Sequence, residues 1–370
     1  MAEDTHTLKA TCHCGNAKHA ISVERDQLPL KSDMCHCTSC RHTTGLLGFA
    51  AATLPDNYEP DQLLLDKLTA FDSSKNIKHF FCSNCGTGLL SRCIGSGAVE
   101  WLVHTGTLEQ GDASIYRLDA HIFVEDTLDG GLANFLTEVD GRRVKRHAPY
   151  FDSEELPLGW TASDRPEIQK PGPDERLHGY CKCGGVEFWL APPSASSSAG
   201  IHKDDEFPKD RYISSDDEVF WMTDNQTKYQ AALCPCDSCR LAGNGQPFAQ
   251  WAYVPTGAVL IDPAGNVPIP DNLQWGTLKS CRTANASQHF CGRCGAIVFW
   301  NLDARSYLKD FGVGLFDSPD GARAESWFHW RTAELRHRED GLRRAKELTL
   351  AVEKGLKEYE ENVQSNIGTE

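Results

Sequence analysis

Residues 35–41 read Cys-His-Cys-Thr-Ser-Cys-Arg, and residues 234–240 repeat the pattern as Cys-Pro-Cys-Asp-Ser-Cys-Arg. Each three-cysteine cluster follows a Cys-x-Cys-Gly pair and precedes a Cys-x-x-Cys-Gly pair. Fourteen of the sixteen cysteines belong to this repeated arrangement. The outer pairs are Cys12 and Cys14 with Cys82 and Cys85 in the first copy, and Cys181 and Cys183 with Cys291 and Cys294 in the second.

Seven cysteines per copy do not fill a whole number of tetrahedral zinc sites, because a closed structural site takes four thiolates. We predict that the two outer pairs of each copy form such a site, which leaves three thiolates and one free position in the middle cluster. The middle clusters are Cys35, Cys37 and Cys40 in the first copy, and Cys234, Cys236 and Cys239 in the second. The chain would then hold up to four zinc ions.

Zinc is favoured over disulfides by the compartment that the sequence indicates. Residues 1–10 are polar and lack the apolar segment of a secretory signal, so we predict a cytoplasmic protein whose thiols are kept reduced. Cysteines separated by one residue also bridge each other poorly. Iron–sulfur binding is the minor alternative, since thiolates alone do not select the metal.

Length and charge exclude several classes of protein. At 370 residues the chain is long enough for two domains. Its formal net charge of −15 argues against a nucleic-acid backbone as the main partner, because such binding needs a positive surface. No run of eighteen apolar residues is present, so we predict no membrane partner.

The repeat divides the chain into two units of one kind. We predict a first zinc domain at 1–150, a Pro-rich and charged linker at 151–176, and a second zinc domain at 177–330. The second domain carries a Ser-rich insertion at about 191–230, which is typical of a surface loop. The C-terminal stretch 331–365 is predicted to form an α-helix.

Strand signals dominate both units, so the predicted fold is mainly β. The segments that are short and rich in β-formers are 20–23, 48–52, 102–105, 121–124, 186–190, 248–254 and 296–300. The C-terminal helix rests on apolar residues three or four positions apart, namely Leu342, Ala345, Leu348, Val352, Leu356, Tyr359 and Val363. This apolar face is predicted to pack against the body of the protein or against a second copy in a homo-oligomer. Gly15, Gly86, Gly184 and Gly295 follow the cysteine pairs, where a tight thiolate turn requires φ above zero.

The middle clusters are the predicted catalytic sites. Three thiolates give Zn²⁺ a net negative charge, so the ion activates water poorly and suits a soft fourth ligand such as a substrate thiol. The alternative is that a protein side chain closes the site. His36, His42 and His79 are the candidates in the first unit, although Pro235 replaces His36 in the second.

Other polar residues are candidates for substrate binding or for a structural role in the core. Arg41 and Arg240 directly follow the clusters and are predicted to bind a carboxylate of the substrate, with a surface ion pair as the alternative. Cys93 and Cys281 lie outside the pattern and are expected to be small buried hydrophobes. Four histidines in or near strand segments are expected to be hydrogen-bonded in the core: His104, His121, His289 and His329.

The order of these motifs resembles the glutathione-dependent formaldehyde-activating enzyme family, which includes centromere protein V. Val103–Leu108 and His121–Val124 also resemble that domain downstream of its last cysteine pair. The resemblance covers both units, as tandem domains. It implies a β-tent fold, a structural zinc on the outer pairs and a catalytic zinc on the middle cluster. It also implies a carbon–sulfur lyase that combines glutathione and formaldehyde into S-hydroxymethylglutathione.

Two alternatives of other classes stay open. A non-catalytic zinc-stabilised scaffold or zinc buffer predicts closed sites and no response to thiols. A binding module like centromere protein V, a partner of microtubules and chromatin, would need a basic or Pro-rich arm that this acidic chain lacks. The glutathione-dependent enzyme is the favoured prediction, and the departure at Pro235 together with the insertion leaves open whether the second cluster is active or idle.

Overall fold

The structure is a computed structural model that describes residues 4–94, 98–193, 220–223 and 227–367. These residues form mainly β-structure, with a long helix at the C-terminal end, as the sequence predicted. Among the described residues, no helix is both long and apolar enough to cross a membrane. The five α-helices of the described part are α1 (Thr38–Thr44), α2 (Gln62–Leu65), α3 (Asp237–Ala242), α4 (Arg338–Arg344) and α5 (Lys346–Ile367).

The first unit combines a hairpin, an eight-stranded sheet and a small two-stranded ribbon. The hairpin is β1 (Thr5–Thr11) with β2 (Lys18–Glu24), and the ribbon is β10 (Glu138–Val139) with β11 (Arg142–Arg143). The sheet contains β3 (Leu30–Cys35), β4 (Phe49–Thr53), β5 (Leu68–Asp72), β6 (Ile77–Cys82), β7 (Gly88–Ile94), β8 (Val99–His104), β9 (Tyr116–Ile122) and β12 (Lys145–Arg146). Its spatial order is β12-β9-β3-β4-β8-β7-β6-β5.

The second unit has a four-stranded sheet and an eight-stranded sheet. The smaller sheet, in spatial order, is β18 (Val259–Leu260), β14 (Glu187–Leu190), β13 (Leu177–Tyr180) and β23 (Phe316–Asp317). The larger sheet contains β15 (Met222–Thr223), β16 (Lys228–Cys234), β17 (Ala249–Pro255), β19 (Leu278–Arg282), β20 (Ala286–Cys291), β21 (Ile297–Leu302), β22 (Leu308–Gly312) and β24 (Phe328–Trp330). Its main path is β15-β16-β17-β22-β21-β20-β19, and β24 pairs with β16.

The two large sheets repeat one strand order. In the first, β9 is parallel to β3, which continues through β4, β8, β7 and β6 to β5. In the second, β24 is parallel to β16, which continues through β17, β22, β21 and β20 to β19. A register shift also occurs at the same place in β6 and β20, directly before the final Phe-Cys. The cysteine repeat is therefore a repeat of architecture.

Matched glycines join the two units. The N–H of Gly106 donates to the carbonyl of Gly245 at 2.8 Å, and that of Gly314 donates to Gly45 at 3.0 Å. Gly86 (φ +77°) and Gly295 (φ +80°) adopt the left-handed turns that the sequence predicted. A Cβ on Gly86 would lie 2.4 Å from the ring of Phe290, and one on Gly295 would lie 2.7 Å from the equivalent Phe81. These glycines thus permit close contact between the units as well as the turn.

The hydrophobic core is shared between the repeats. One cluster of buried side chains combines Met34, Leu132 and Phe135 with most of the apolar residues of the second unit. A second cluster combines the first hairpin and β6–β8 with Trp251 and Phe290. Burial of apolar area stabilises the two units jointly, so neither large cluster belongs to one unit alone. The boundaries at 150 and 177 stay predictions of where one repeat gives way to the next.

The C-terminal helix begins later than predicted. Residues 331–337 run beside β16, where the N–H groups of Arg331 and Arg336 donate to the carbonyls of Ala231 and Leu233. The apolar spacing that predicts the helix begins only at Leu342, and residues 331–337 form tertiary hydrogen bonds instead. The predicted apolar face does pack against the body: Leu348, Val352 and Leu356 are buried, although Val363 is exposed.

The predicted insertion at 191–230 lies partly outside the described residues. Its described end belongs to the large sheet, because Met222 pairs with Tyr229 and Thr223 with Lys228. The predicted insertion thus includes β15 and the start of β16, and its bounds stay a prediction. The linker at 151–176 contributes Arg165, whose guanidinium donates to Glu325 at 2.6 Å.

A buried ionic network connects the first unit, the linker, the second unit and α5. Arg323 is 1% exposed and lies 3.0 Å from Glu325 and 3.8 Å from Asp129, which is itself fully buried. Burial disfavours the charged guanidinium, but the charges of Asp129 and Glu325 outweigh burial and raise the pKa of Arg323. The hydroxyl of Tyr359 in α5 donates to Glu325. These ion pairs and hydrogen bonds therefore hold the first unit, the linker, the second unit and α5 in fixed positions relative to one another.

Replacing Arg323 with Met is expected to lower the free energy of unfolding by about 3–5 kcal/mol, because Asp129 would remain buried without its cation. Urea unfolding followed by circular dichroism measures this change. Arg282→Met is the matched control, since Arg282 pairs with Asp303 at the surface and its loss should not measurably change stability. Equal stability of the Arg323 variant and the control would show that the network does not hold the units together.

Candidate metal centres and active site

The outer cysteine pairs of the first unit converge as predicted. Cys12 and Cys14 lie in the turn of the first hairpin, Cys82 ends β6, and Cys85 lies in the turn before β7. All four sulfur atoms lie within 4.8 Å of one another. The Sγ of Cys14 is 3.6 Å from that of Cys12 and 3.8 Å from that of Cys82.

The second unit repeats this convergence with Cys181, Cys183, Cys291 and Cys294. The Sγ of Cys183 is 3.6 Å from that of Cys181 and 3.5 Å from that of Cys291. Four thiolates around tetrahedral zinc, each at about 2.3 Å, stand about 3.8 Å apart, so both sets fit that ion. All sixteen cysteines are free, and the observed separations are too long for a disulfide.

The middle cluster of the first unit forms where β3 meets α1. Cys35 is the last residue of β3, and Cys37 caps α1 by accepting a hydrogen bond from the backbone N–H of Cys40 at 3.3 Å. The three sulfur atoms lie within 4.8 Å of one another. In the described part of the chain, no histidine or carboxylate joins them within that distance.

The three histidines considered as a fourth ligand have other surroundings. His36 is fully buried and its Nε2 lies 2.8 Å from Nδ1 of His121. His42 Nδ1 donates to the carbonyl of Tyr180 in the second unit at 2.7 Å, and its ring stacks on that tyrosine. His79 hydrogen-bonds to Ser91 at 2.8 Å. None of them is a member of the three-sulfur cluster.

The two arginines that follow the clusters differ in their contacts. Arg41 is only 4% exposed, yet its Nε and Nη1 have no hydrogen-bond partner, and its Nη2 is 3.4 Å from Thr38 Oγ1. Burial lowers the pKa of Arg41. Arg240 instead forms an ion pair with Asp237 at 2.8 Å and donates to the carbonyl of Gly106. Arg41 therefore retains the capacity to bind an anion, whereas Arg240 is already paired.

The middle cluster of the second unit is covered by the C-terminal helices. The sulfur atoms of Cys234, Cys236 and Cys239 converge within 4.8 Å. Next to them, Pro235 packs against α4 so closely that a Cβ on Gly341 would lie 2.8 Å from its ring. Arg344 of α4 reaches the first unit, where it donates to the carbonyl of Leu108 at 3.4 Å.

A polar chain runs behind the first cluster. Ser91 Oγ lies 2.8 Å from both His79 Nδ1 and His104 Nε2, and His104 Nδ1 donates to the carbonyl of Asn244 at 3.1 Å. Burial lowers the pKa of His79 to about 3 and that of His104 to about 4, so both imidazoles are neutral. Phe49, which packs with Cys40, touches both rings edge-on.

These contacts define the tautomers. Since His104 donates from Nδ1, its Nε2 accepts from the hydroxyl of Ser91. Ser91 Oγ must then accept from Nδ1 of His79. The lone pair of His79 is left on Nε2, which is buried and has no hydrogen-bond partner. His79 is thus a fixed, neutral hydrogen-bond acceptor near the first cluster.

The second unit lacks this chain. The sheet registers align His79 with Gln288, Ser91 with Trp300 and His104 with Gly312. From the sequence, His104 is predicted only as an ordinary core residue and His79 only as a candidate metal ligand. The sequence does contain a signal of this difference between the units. His79 stands three residues before Cys82, whereas Gln288 stands three residues before Cys291.

The remaining predictions on single residues have mixed outcomes. Cys281 is buried as predicted, whereas Cys93 is half-buried. In the core, His121 hydrogen-bonds to His36 through Nδ1 and donates from Nε2 to the carbonyl of Leu136. Nε2 of His289 lies 2.9 Å from Ser287 Oγ. His329 is exposed rather than in the core, because β24 alternates and buries Phe328 and Trp330 on the other face.

Residues 7–126 match the family model described as glutathione-dependent formaldehyde-activating enzyme. The first unit is therefore similar to this family over most of its length. The match includes both the outer pairs and the middle cluster of that unit, with β1 to β9 almost complete. No curated protein matches the chain. The second unit lies outside the matched residues, and its kinship with the first rests on the shared strand order and cysteine positions.

Proposed function

We propose that the chain is a zinc-dependent carbon–sulfur lyase that acts on glutathione or a similar thiol adduct. The observation that carries the proposal is the cluster of Cys35, Cys37 and Cys40, which has three converging sulfurs and no fourth protein ligand among the described residues. The cluster lies in the domain that matches the glutathione-dependent family. The reaction we favour is the S-(hydroxymethyl)glutathione synthase reaction.

The two kinds of cysteine cluster would have different roles. The four-thiolate sets would hold structural zinc, and the three-thiolate set of the first unit would hold the catalytic ion. A zinc ion bound there would favour the thiolate form of a substrate thiol near neutral pH. The chain would carry up to four ions if the second middle cluster is also filled.

The protein groups around the cluster fit a small thiol with a carboxylate. Arg41 follows Ser39 and Cys40 in the sequence. Its Nε and Nη1 have no hydrogen-bond partner, so they can donate to the two oxygens of a carboxylate. Addition of the thiol sulfur to formaldehyde forms a carbon–sulfur bond and moves the carbonyl π electrons onto oxygen. The proton lost by the thiol then completes the hydroxymethyl group, so atoms and charge balance.

His79 is the residue that we propose to carry this proton. Its Nε2 lone pair is the free end of the polar chain through Ser91 to His104. The hydrogen bond at Nδ1 fixes the tautomer, so a proton can be gained only at Nε2. Because burial lowers the pKa of His79 to about 3, Nε2 would hold the proton only transiently, and we place its contribution at the lower end of the roughly 10²–10⁴-fold typical of general acid–base groups.

Replacing His79 with Gln, the residue at the equivalent position of the second unit, should lower kcat by about 100-fold. Glutathione binding should be unchanged, because the variant leaves the three cysteines and Arg41 in place. Steady-state kinetics and calorimetric titration measure the two quantities. An unchanged kcat would exclude His79 from proton transfer, whereas a parallel loss of binding would indicate a structural role.

The direct test of the proposed reaction uses ¹³C-formaldehyde and glutathione. NMR exchange spectroscopy should report faster formation of S-hydroxymethylglutathione with the protein than without it. Apoprotein prepared with a chelator is the control for trace metal. No acceleration by the fully zinc-loaded protein would contradict this substrate pair.

A scaffold role is the second candidate, and one observation favours it for the second unit. There the middle cluster is covered by α4 and Arg240 is already paired, so this unit would stabilise the first. We keep the cytoplasm as the proposed location, supported by sixteen unpaired cysteines. A homo-oligomer through α5 stays a prediction and would have to use residues outside the buried face.

A further inference from the structure

A cleft between the two units opens beside the first middle cluster. One wall is Thr38 and Arg41 of α1 with Asp126, and the other is residues 316–322 of the second unit. Its volume is about 90 Å³, enough for one end of a small molecule. Both Thr38 and Arg41 are next to cysteines of the cluster in the sequence.

The buried wall of the cleft carries an incompletely bonded cation. Arg41 lines the cleft and is only 4% exposed. Its Nε and Nη1 have no hydrogen-bond partner. Buried guanidinium groups without hydrogen-bond acceptors are costly, so such a group indicates a missing anion. A carboxylate can accept from two guanidinium nitrogens at once.

The outer rim of the same cleft is acidic. Asp126 and Asp317 are both exposed, and neither lies within 4.0 Å of a cationic side chain in the described part of the chain, although their charges partly offset the lowering of the pKa of Arg41 by burial. One carboxylate oxygen of Asp126 accepts from the backbone N–H of Thr38 at 3.1 Å, which holds this side chain at the rim. Asp317 comes from β23, so the second unit supplies half of the rim.

We propose that this cleft binds the α-amino-carboxylate end of the thiol substrate, with its carboxylate on Arg41 and its ammonium between Asp126 and Asp317. The proposal rests on the proposed function and specifies its substrate class. Glutathione has such a zwitterionic group at its γ-glutamyl end, whereas its glycine end has a carboxylate alone. The γ-glutamyl end would therefore enter the cleft.

The corresponding place in the second unit offers an internal comparison. Asp237 stands where the first unit has Thr38, and it pairs with Arg240. The guanidinium of Arg344 is buried against the segment 108–111 of the first unit, which corresponds to 316–319. Asp237 and Arg240 are already paired there, and Arg344, whose Nη2 has no hydrogen-bond partner, adds a further cation instead of an unpaired acid among the described residues.

The test is calorimetric titration of the zinc-loaded full chain with S-methylglutathione, which probes the cleft without a free thiol. Removing the α-amino group, in S-methylated glutaryl-cysteinylglycine, should weaken binding by about threefold to fivefold for each rim carboxylate involved. Asp317→Asn should weaken S-methylglutathione by about threefold to fivefold and leave the glutaryl analogue unchanged. Asp174→Asn, an exposed linker carboxylate, is the matched control and should change neither.

The possible outcomes distinguish failure of the proposed cleft from failure of the proposed reaction. Equal binding of S-methylglutathione and its glutaryl analogue, or an Asp317 variant that behaves like the Asp174 control, would overturn the proposed cleft. Glutathione turnover that persists in that case would leave the proposed function intact. Binding of S-methylglutathione that depends on Asp317 supports the cleft even if formaldehyde proves to be the wrong co-substrate.

Discussion

Cys40→Ser should abolish the reaction of glutathione with formaldehyde while the first unit stays folded. Cys40 belongs to the three-sulfur cluster and takes no part in the four-sulfur cluster of the same unit. A serine hydroxyl is a poor ligand for zinc at neutral pH, so the catalytic ion would be lost. The rate should fall to that of the uncatalysed reaction, and the melting temperature should change by only a few degrees.

Cys239→Ser is the matched control in the second unit. Because α4 covers that cluster and Arg240 is already paired, we expect turnover close to that of the unmodified protein. Full activity in Cys40→Ser together with loss in Cys239→Ser would reverse our assignment of the working unit. Unfolding of Cys40→Ser as severe as that caused by loss of an outer cysteine would contradict the division of roles.

Cys85→Ser should unfold the first unit and weaken the second. The binding free energy of a structural zinc is folding free energy, on the order of 10 kcal/mol, and a domain is stable by only about 5–15 kcal/mol. Cys85 is fully buried, its carbonyl accepts from Gln288 of the second unit, and Gly86 packs on Phe290. We therefore expect the melting temperature to fall by more than about 10 °C.

Thermal unfolding followed by near-UV circular dichroism and limited proteolysis measures this effect. Cys93→Ser is the matched control, since Cys93 lies outside both clusters and is half-buried. A small change in both variants would mean that the outer pairs do not bind a structural ion. Complete loss of the folded structure in Cys85→Ser, with only a minor change of melting temperature in Cys93→Ser, supports the four-thiolate assignment.

The second repeat keeps the three cysteines and the following arginine of the middle cluster but differs from the first in the residues around them. Asp237 replaces Thr38 and pairs with Arg240, and Gln288 replaces His79. The same repeat nevertheless contributes Asp317 to the cleft of the first unit. Under the proposed function, the second repeat would contribute to the site of the first repeat, with which it also shares the hydrophobic core.

Local spacing predicted the features of this protein that depend on neighbouring residues. The cysteine clusters converge because each pair is a turn that needs few residues, and the glycines after them adopt the expected left-handed φ at Gly15, Gly86, Gly184 and Gly295. Segments rich in β-forming residues likewise located β4, β8, β17 and β21 of the large sheets and overlapped the end of β9, but the other strands of these sheets were not predicted. These features rest on sterics and ligand geometry that act over a few residues.

Features that depend on packing between distant segments were beyond the sequence. Residues 331–337 lie within the predicted helix but before its first patterned residue, Leu342, and they hydrogen-bond along β16, so the helix starts at 338. The chain from His79 to His104 requires the pairing of β6, β7 and β8, and the register shift before Phe81 hides it from simple counting. The cleft requires the second unit to be placed on the first, which no single motif encodes.

Native mass spectrometry of the intact chain, titrated with glutathione, tests the central claim most directly. We predict four zinc ions per chain and one bound glutathione, with that single adduct lost in Cys40→Ser and retained in Cys239→Ser. Two zinc ions and no adduct would leave only the structural sites, and the enzyme proposal would fail in favour of a scaffold. Two adducts would contradict the assignment of a single working site.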